Sequence, residues 1–168
     1  MANTYTLIAS STVGSGGSST IDFTSIPATY TDLLVKLSIR GAYSGINQSY
    51  NISFNGTSIT GMTSRRLYGD GASAASDTSL NLEGDGNTAT ASTFSNDEVY
   101  IPNYAGSTNK SFSIDNVVEN NATTAYPILS AGLWSNAAAI NRIVFTAIGT
   151  GGNFSQYSTA YLYGIKNS

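Results

Sequence analysis

The sequence predicts an all-β protein built as an antiparallel β-sandwich, and three observations carry that prediction. Apolar residues recur with period two, the spacing of a half-buried strand, along most of the chain. Helical spacing of apolar residues is nearly absent. The alternating runs are short and end at Gly, Asn, Ser or Pro, residues that turn the chain.

Taken in order, the runs are Tyr5–Ser10, Ser19–Phe23 and Leu33–Arg40, where Leu33, Val35, Leu37 and Ile39 share one face and Lys36, Ser38 and Arg40 the other. Tyr50–Phe54 follows and meets Asn55-Gly56, a strong hairpin signal, which predicts a return strand through Ile59. Next come Ser64–Tyr68, Thr78–Leu82, Asp97–Ile101 and Lys110–Val118, then Ala125–Trp134, Ile140–Ala147 and Thr159–Ile165. Only one helical turn is suggested, near Ser135–Ile140. The last run, TAYLYGI, predicts a structural strand filling a slot inside a sheet. Its Tyr161, Tyr163 and Ile165 are expected to face the core, with Ala160, Leu162 and Gly164 on the other side.

Long loops are expected at Thr12–Ser18, Gly69–Asp77 and Glu83–Ser95. The last two are rich in Gly, Ala, Ser and Asp, and loops of that length mark a binding surface, a contact with a neighbour or solvated chain. No internal repeat is visible, so residues 1–168 read as one domain of 17.5 kDa.

Composition narrows the function. Charged residues make up 10 %, well below the roughly 25 % of an ordinary soluble domain, so hydrogen-bonding neutral side chains supply the polarity. The net charge is −3, with only Arg65-Arg66 adjacent among the cations, which argues against nucleic acid as a partner. No apolar run is long enough for a membrane helix, and the opening residues lack the basic and apolar regions of a signal peptide. With no Cys and no His, disulfides, thiolate metal sites and His-based catalysis are all excluded.

Ten carboxylates remain, but no spacing singles out a pair for glycoside hydrolysis. Asp97 and Glu98 are adjacent, which sends them to opposite faces of a strand. Asp70, in Gly69-Asp70-Gly71, and Asp85, in Glu83-Gly84-Asp85-Gly86-Asn87, could offer oxygen ligands to Ca²⁺. The alternating acidic ligands of a calcium loop are missing, and Asp-Gly is a standard turn dipeptide, so both stretches read as turns. Trp134 is the one tryptophan, able to offer a ring to a sugar or to close a buried strand. Trp134, Asp70 and Asp85 are therefore the candidate glycan or partner contacts. No catalytic residue, cofactor or resident metal is expected, and the chain reads as no enzyme.

The opening MANTYTLIASSTV, the stretch IDFTSIPATYTDLLVKLSIRG, the segment ENNATTAYPILSAGLW and the ending YLYGIKNS resemble small virion proteins of tailed bacteriophages, marine ones especially. That resemblance spans Tyr5 to Ser168 and transfers no individual functional residue. It implies a jelly-roll-like β-sandwich acting as a capsid decoration (cement) protein. Such a protein is made in the host bacterial cytoplasm, binds the outer surface of the assembled shell and staples major capsid protein subunits. It implies a homotrimer as one partner arrangement. The alternative is a tail or head fibre domain that recognises cell-surface glycan; the short chain, with no visible shaft, favours the shell. Neither nucleic acid nor membrane is an expected partner.

Overall fold

The computed structural model describes residues 4–56, 58–120 and 125–166. Among the described residues there are twelve strands: β1 (Tyr5–Thr12), β2 (Thr20–Phe23), β3 (Asp32–Ser38), β4 (Asn47–Phe54), β5 (Met62–Gly69), β6 (Ala74–Asp77), β7 (Asn81–Asp85), β8 (Asn96–Ile101), β9 (Lys110–Val118), β10 (Tyr126–Trp134), β11 (Ile143–Ala147) and β12 (Thr159–Ile165). They form an eight-stranded sheet, β1-β12-β3-β8-β9-β10-β5-β6, packed on a four-stranded sheet, β2-β11-β4-β7. Every strand-to-strand pairing is antiparallel, and there is no helix among the described residues.

The pairings are nested. β1 pairs β12, β2 pairs β11, β3 pairs β8 and β4 pairs β7, alternating between the two sheets from the outermost pair to the innermost. Two insertions, β5–β6 and β9–β10, interrupt this scheme. Both extend the larger sheet beyond β8, where β9 meets β8, β10 meets β9, and β5 meets β10. The smaller sheet ends at β7, so the insertions overhang it.

Period-two alternation explains the packing. Along β9 and β10 every second residue is buried, and the same holds for the apolar residues of β4; in β3 the outward Leu34 is buried as well. The core between the sheets takes Leu33, Val35, Leu37, Val99, Ile114 and Leu162 from the larger sheet and Ile21, Phe23, Ile52, Leu82 and Phe145 from the smaller. Phe54 sits edge-to-face with Phe112, centroids 5.3 Å apart, and with Trp134 at 5.6 Å. Gly132 lies opposite Phe112 in the ladder, and a β-carbon there would stand 2.2 Å from that ring. Glycine is therefore required for the phenyl ring to lie across the strand.

β12 does fill an internal slot, between β1 and β3. Its faces are reversed from the expectation. Ala160, Leu162 and Gly164 point into the core, while Tyr161 is 39 % exposed on the outer face beside Tyr163 and Ile165. The cause is Tyr30, whose ring occupies the core side at this point. A β-carbon on Gly164 would come within 2.3 Å of it. We expect Gly164→Ala to cost about 1–3 kcal/mol by overpacking, and Tyr161→Ser to stay within about 0.5 kcal/mol as a surface change. Urea unfolding of the two variants checks this, and the reversed ranking would contradict the observed orientation.

Three further expectations are corrected. Asn55-Gly56 makes no hairpin, because β4 is already flanked by β11 and β7 and offers no free edge. Asn55, at φ +56°, instead extends the β4–β11 ladder: its N–H donates to Arg142 O and its Oδ1 accepts from Asn141 N at 2.9 Å. Ile59, expected on the return strand, is exposed in the connection between the sheets. The loop expected at Gly69–Asp77 contains β6, and the one expected at Glu83–Ser95 begins as β7. Ser135–Ile140 forms no helical turn; Ile140 N donates to Tyr104 O across the molecule.

Candidate polar cleft beside strand β7

An edge strand presents unpaired backbone groups that must be covered. Inward side chains of the larger sheet cover β7. The Asn116 amide behaves as a surrogate strand residue: its Oδ1 accepts from Glu83 N and its Nδ2 donates to Glu83 O, both at 2.8 Å. Ser64 Oγ donates to Ser79 O at 2.6 Å, and an Arg66 guanidinium N–H donates to Asn81 O at 3.3 Å. The two sheets are thus hydrogen-bonded to one another along this margin as well as packed.

Behind Asn116 lies a fully buried polar group. Asp97 accepts from Asn116 Nδ2 and Tyr50 Oη, and from Ser95 Oγ at 2.7 Å. Burial pushes the Asp97 carboxyl up to about 7, against the opposing pull of those three donors. Burial, then the adjacent carboxylate, raises the Tyr50 hydroxyl well above its ordinary range.

Where the overhang leaves β7, a cleft of about 310 Å³ opens. Asn47, Ser49 and Glu83 line it from the outward face of the smaller sheet; Arg66, Tyr68, Tyr126 and Ile128 line it from the inward face of the overhang. Both oxygens of Glu83 accept from Ser49 Oγ, at 2.9 and 3.1 Å, and Arg66 Nη1 stands 3.7 Å from Oε1. Burial raises the Glu83 carboxyl above the usual carboxylate range, with Ser49 and Arg66 partly offsetting it. Arg66 forks onto Asp77, Nε to Oδ1 at 3.0 Å and Nη2 to Oδ2 at 2.9 Å, which holds the Asp77 carboxyl low. The same guanidinium lies 4.8 Å from the Tyr68 ring centroid, and Tyr68 meets Tyr126 edge-to-face at 6.4 Å. Asn47 Oδ1 is buried with no hydrogen-bond partner.

The residues singled out from sequence lie elsewhere. Trp134 is 5 % exposed in the core, edge-to-face with Phe54. Asp70 closes an exposed turn, its Oδ1 accepting from Ala72 N at 3.0 Å and Ser73 N at 2.7 Å. Asp85 is fully buried at the end of β7, where a turn was expected. Burial raises its carboxyl, with Thr93, Asn120 and Arg40 opposing. No three acidic side chains converge as a metal site among the described residues. The cleft residues escaped notice because they come from four strands in two sheets. Two local signals touched them, Arg65-Arg66 as charge and Glu83 within a stretch read as a turn, and neither pointed to a cleft.

The two outer faces differ in chemistry. That of the smaller sheet carries Asn47, Ser49, Asn51, Glu83 and Thr146. Of the twelve large apolar or aromatic side chains exposed among the described residues, eight lie on the outer face of the larger sheet: Tyr5, Leu7, Leu67, Tyr100, Val117, Leu129, Leu133 and Tyr161. Leu67 and Leu129 stand directly opposite each other in the β5–β10 ladder. Lys36 and Glu98, also on this face, neutralise one another as an ion pair. Compared with known proteins, the chain matches no family model, no curated protein and no solved structure.

Proposed function

We propose that this chain is a structural protein of a tailed-bacteriophage virion, a non-enzymatic decoration protein. It binds the outer surface of the assembled shell through the outer face of its eight-stranded sheet and stabilises contacts between major capsid subunits. The observation that carries the reading is the gathering of eight exposed apolar and aromatic side chains on that face. Scattered surface apolar residues need no explanation, but eight of twelve on one face mark an interaction surface. They form two groups, Tyr5, Leu7, Tyr100 and Tyr161 toward β1 and Val117, Leu129, Leu133 and Leu67 toward β5, with Lys36, Glu98 and Asp115 between them. The neutralised Lys36–Glu98 pair lowers the electrostatic cost of covering it. A jelly-roll identity for the sandwich is supported by the nested order, β1-β12-β3-β8 facing β2-β11-β4-β7, which is that of two interlocked Greek keys.

The double variant Leu67→Asp/Leu129→Asp tests it. Both residues are more than half exposed, at 56 and 60 %. We therefore expect folding stability to change by less than about 1 kcal/mol. Co-sedimentation with particles stripped of this protein should weaken at least about tenfold, corresponding to about 1.4 kcal/mol. Ile46→Asp, exposed just before β4 of the smaller sheet, should bind normally. Unchanged binding by the double variant, or no binding of the parent protein to shells, overturns the proposal.

A further inference from the structure

We propose that the cleft beside β7 is a binding site for a single neutral sugar ring. The inference stands apart from the shell-docking reading, because the cleft uses the inward face of β5 and β10 and docking uses the outward one. Its chemistry disfavours two other classes of small ligand, anionic and purely apolar ones. The one cation, Arg66, is already held by the bidentate Asp77 fork, and Glu83 adds a further acid, so phosphate and carboxylate ligands meet net repulsion. The lining is too polar for a purely apolar guest: Asn47, Ser49, Glu83 and Arg66 face the space together. A ring bearing hydroxyls on its rim and C–H groups on its faces satisfies both halves of the site. The Asn47 amide lines the space, its Oδ1 without a partner in the fold and shielded from solvent until the side chain turns, and the Glu83 carboxylate retains lone pairs beyond those Ser49 uses. Each can receive a sugar hydroxyl in a setting where burial strengthens hydrogen bonds. Arg66 covers one side of Tyr68, which leaves Tyr126 as the ring for C–H contact. At about 310 Å³ the space is at the lower limit of small-molecule sites, which suits one ring rather than a chain.

The test is a titration of the ¹⁵N-labelled full-length protein with glucose, galactose, mannose and N-acetylglucosamine, followed by amide spectra. Inorganic phosphate and N-acetylneuraminic acid serve as the anionic probes. We expect at least one neutral sugar to shift the amides of Ser49, Arg66, Glu83 and Ile128, with a Kd near the millimolar range. Tyr126→Ala and Asn47→Ala should each weaken that binding at least about tenfold, while Tyr126→Phe keeps it, since the ring survives. Melting curves confirm that each variant is folded, and the two alanine variants probe different elements should either fail. Shifts elsewhere on the protein, responses to the anions alone, no response to any neutral sugar, or undiminished binding by both alanine variants overturn the proposal.

Discussion

Replacing Asp97 with Ala should cost the protein about 4 kcal/mol, because three buried donors lose their acceptor at once. Tyr50 Oη, Ser95 Oγ and Asn116 Nδ2 all converge on this carboxyl, and all four residues are buried. For a chain of this size that loss lowers the melting temperature by about 10 °C. The same group sets a pH dependence. Asp97 titrates at about 7 when folded, against about 3.9 when unfolded. Between those values the folded chain holds a proton that the unfolded chain has released. Its stabilising contribution is therefore complete below about pH 4 and is lost as pH rises through 7, by about 4 kcal/mol in total. The raised carboxyls of Glu83 and Asp85 act in the same direction. Those of Asp70 and Asp77 are lowered, so they act only below this window. Urea unfolding at pH 4.5 and 7.5 measures it. The parent should be the more stable at the lower pH, and Asp97→Asn should flatten the difference. A parent curve that is level, or rises between those values, would remove the argument.

Arg40→Met is expected to cost about 3 kcal/mol and to loosen the segment between β7 and β8. Its guanidinium donates to the carbonyls of Thr90 at 2.8 Å, Thr93 and Ala89 at 3.1 Å and Asn87 at 3.3 Å, and to Thr93 Oγ1 at 3.2 Å. Charge-assisted bonds of this kind are each worth about 1.5–3 kcal/mol but are not additive. Arg40 itself is held at the backbone, where Ser155 N and Ser158 Oγ donate to its carbonyl. Its charge also offsets part of the burial of Asp85, so removal leaves that carboxyl in a more hostile setting. Arg40→Lys should recover little, since one ammonium cannot span carbonyls that a planar fork reaches together. Hydrogen exchange at Ala89, Thr93 and Ser95 reports the loosening directly. Unchanged protection there, with stability within about 0.5 kcal/mol of the parent, would show that the segment holds its own shape.

The strands themselves were legible because the evidence for them is local. Alternation along Leu33–Arg40, Lys110–Val118 and Ala125–Trp134 requires only that one face of each run be wetter than the other, and the structure has strands at all three. Local pattern also marked the last run as structural. It could not say which face of that run meets the core, since period two looks the same from either side. The choice fell to Tyr30, more than a hundred residues away in the chain, whose ring accepts only a glycine opposite. Asn55-Gly56 misled for a related reason: a turn preference of two residues yields to the pairing of β4 with strands that lie far along the chain. The cleft was the least legible feature. Arg66 stood out only as half of a cation pair and Glu83 only as part of an expected turn, and their meeting depends on two separate insertions joining one sheet and overhanging the edge of the other. Strands follow from the pattern of near neighbours along the chain. Pairing, orientation and the site follow from contacts across it, which no short stretch of residues encodes.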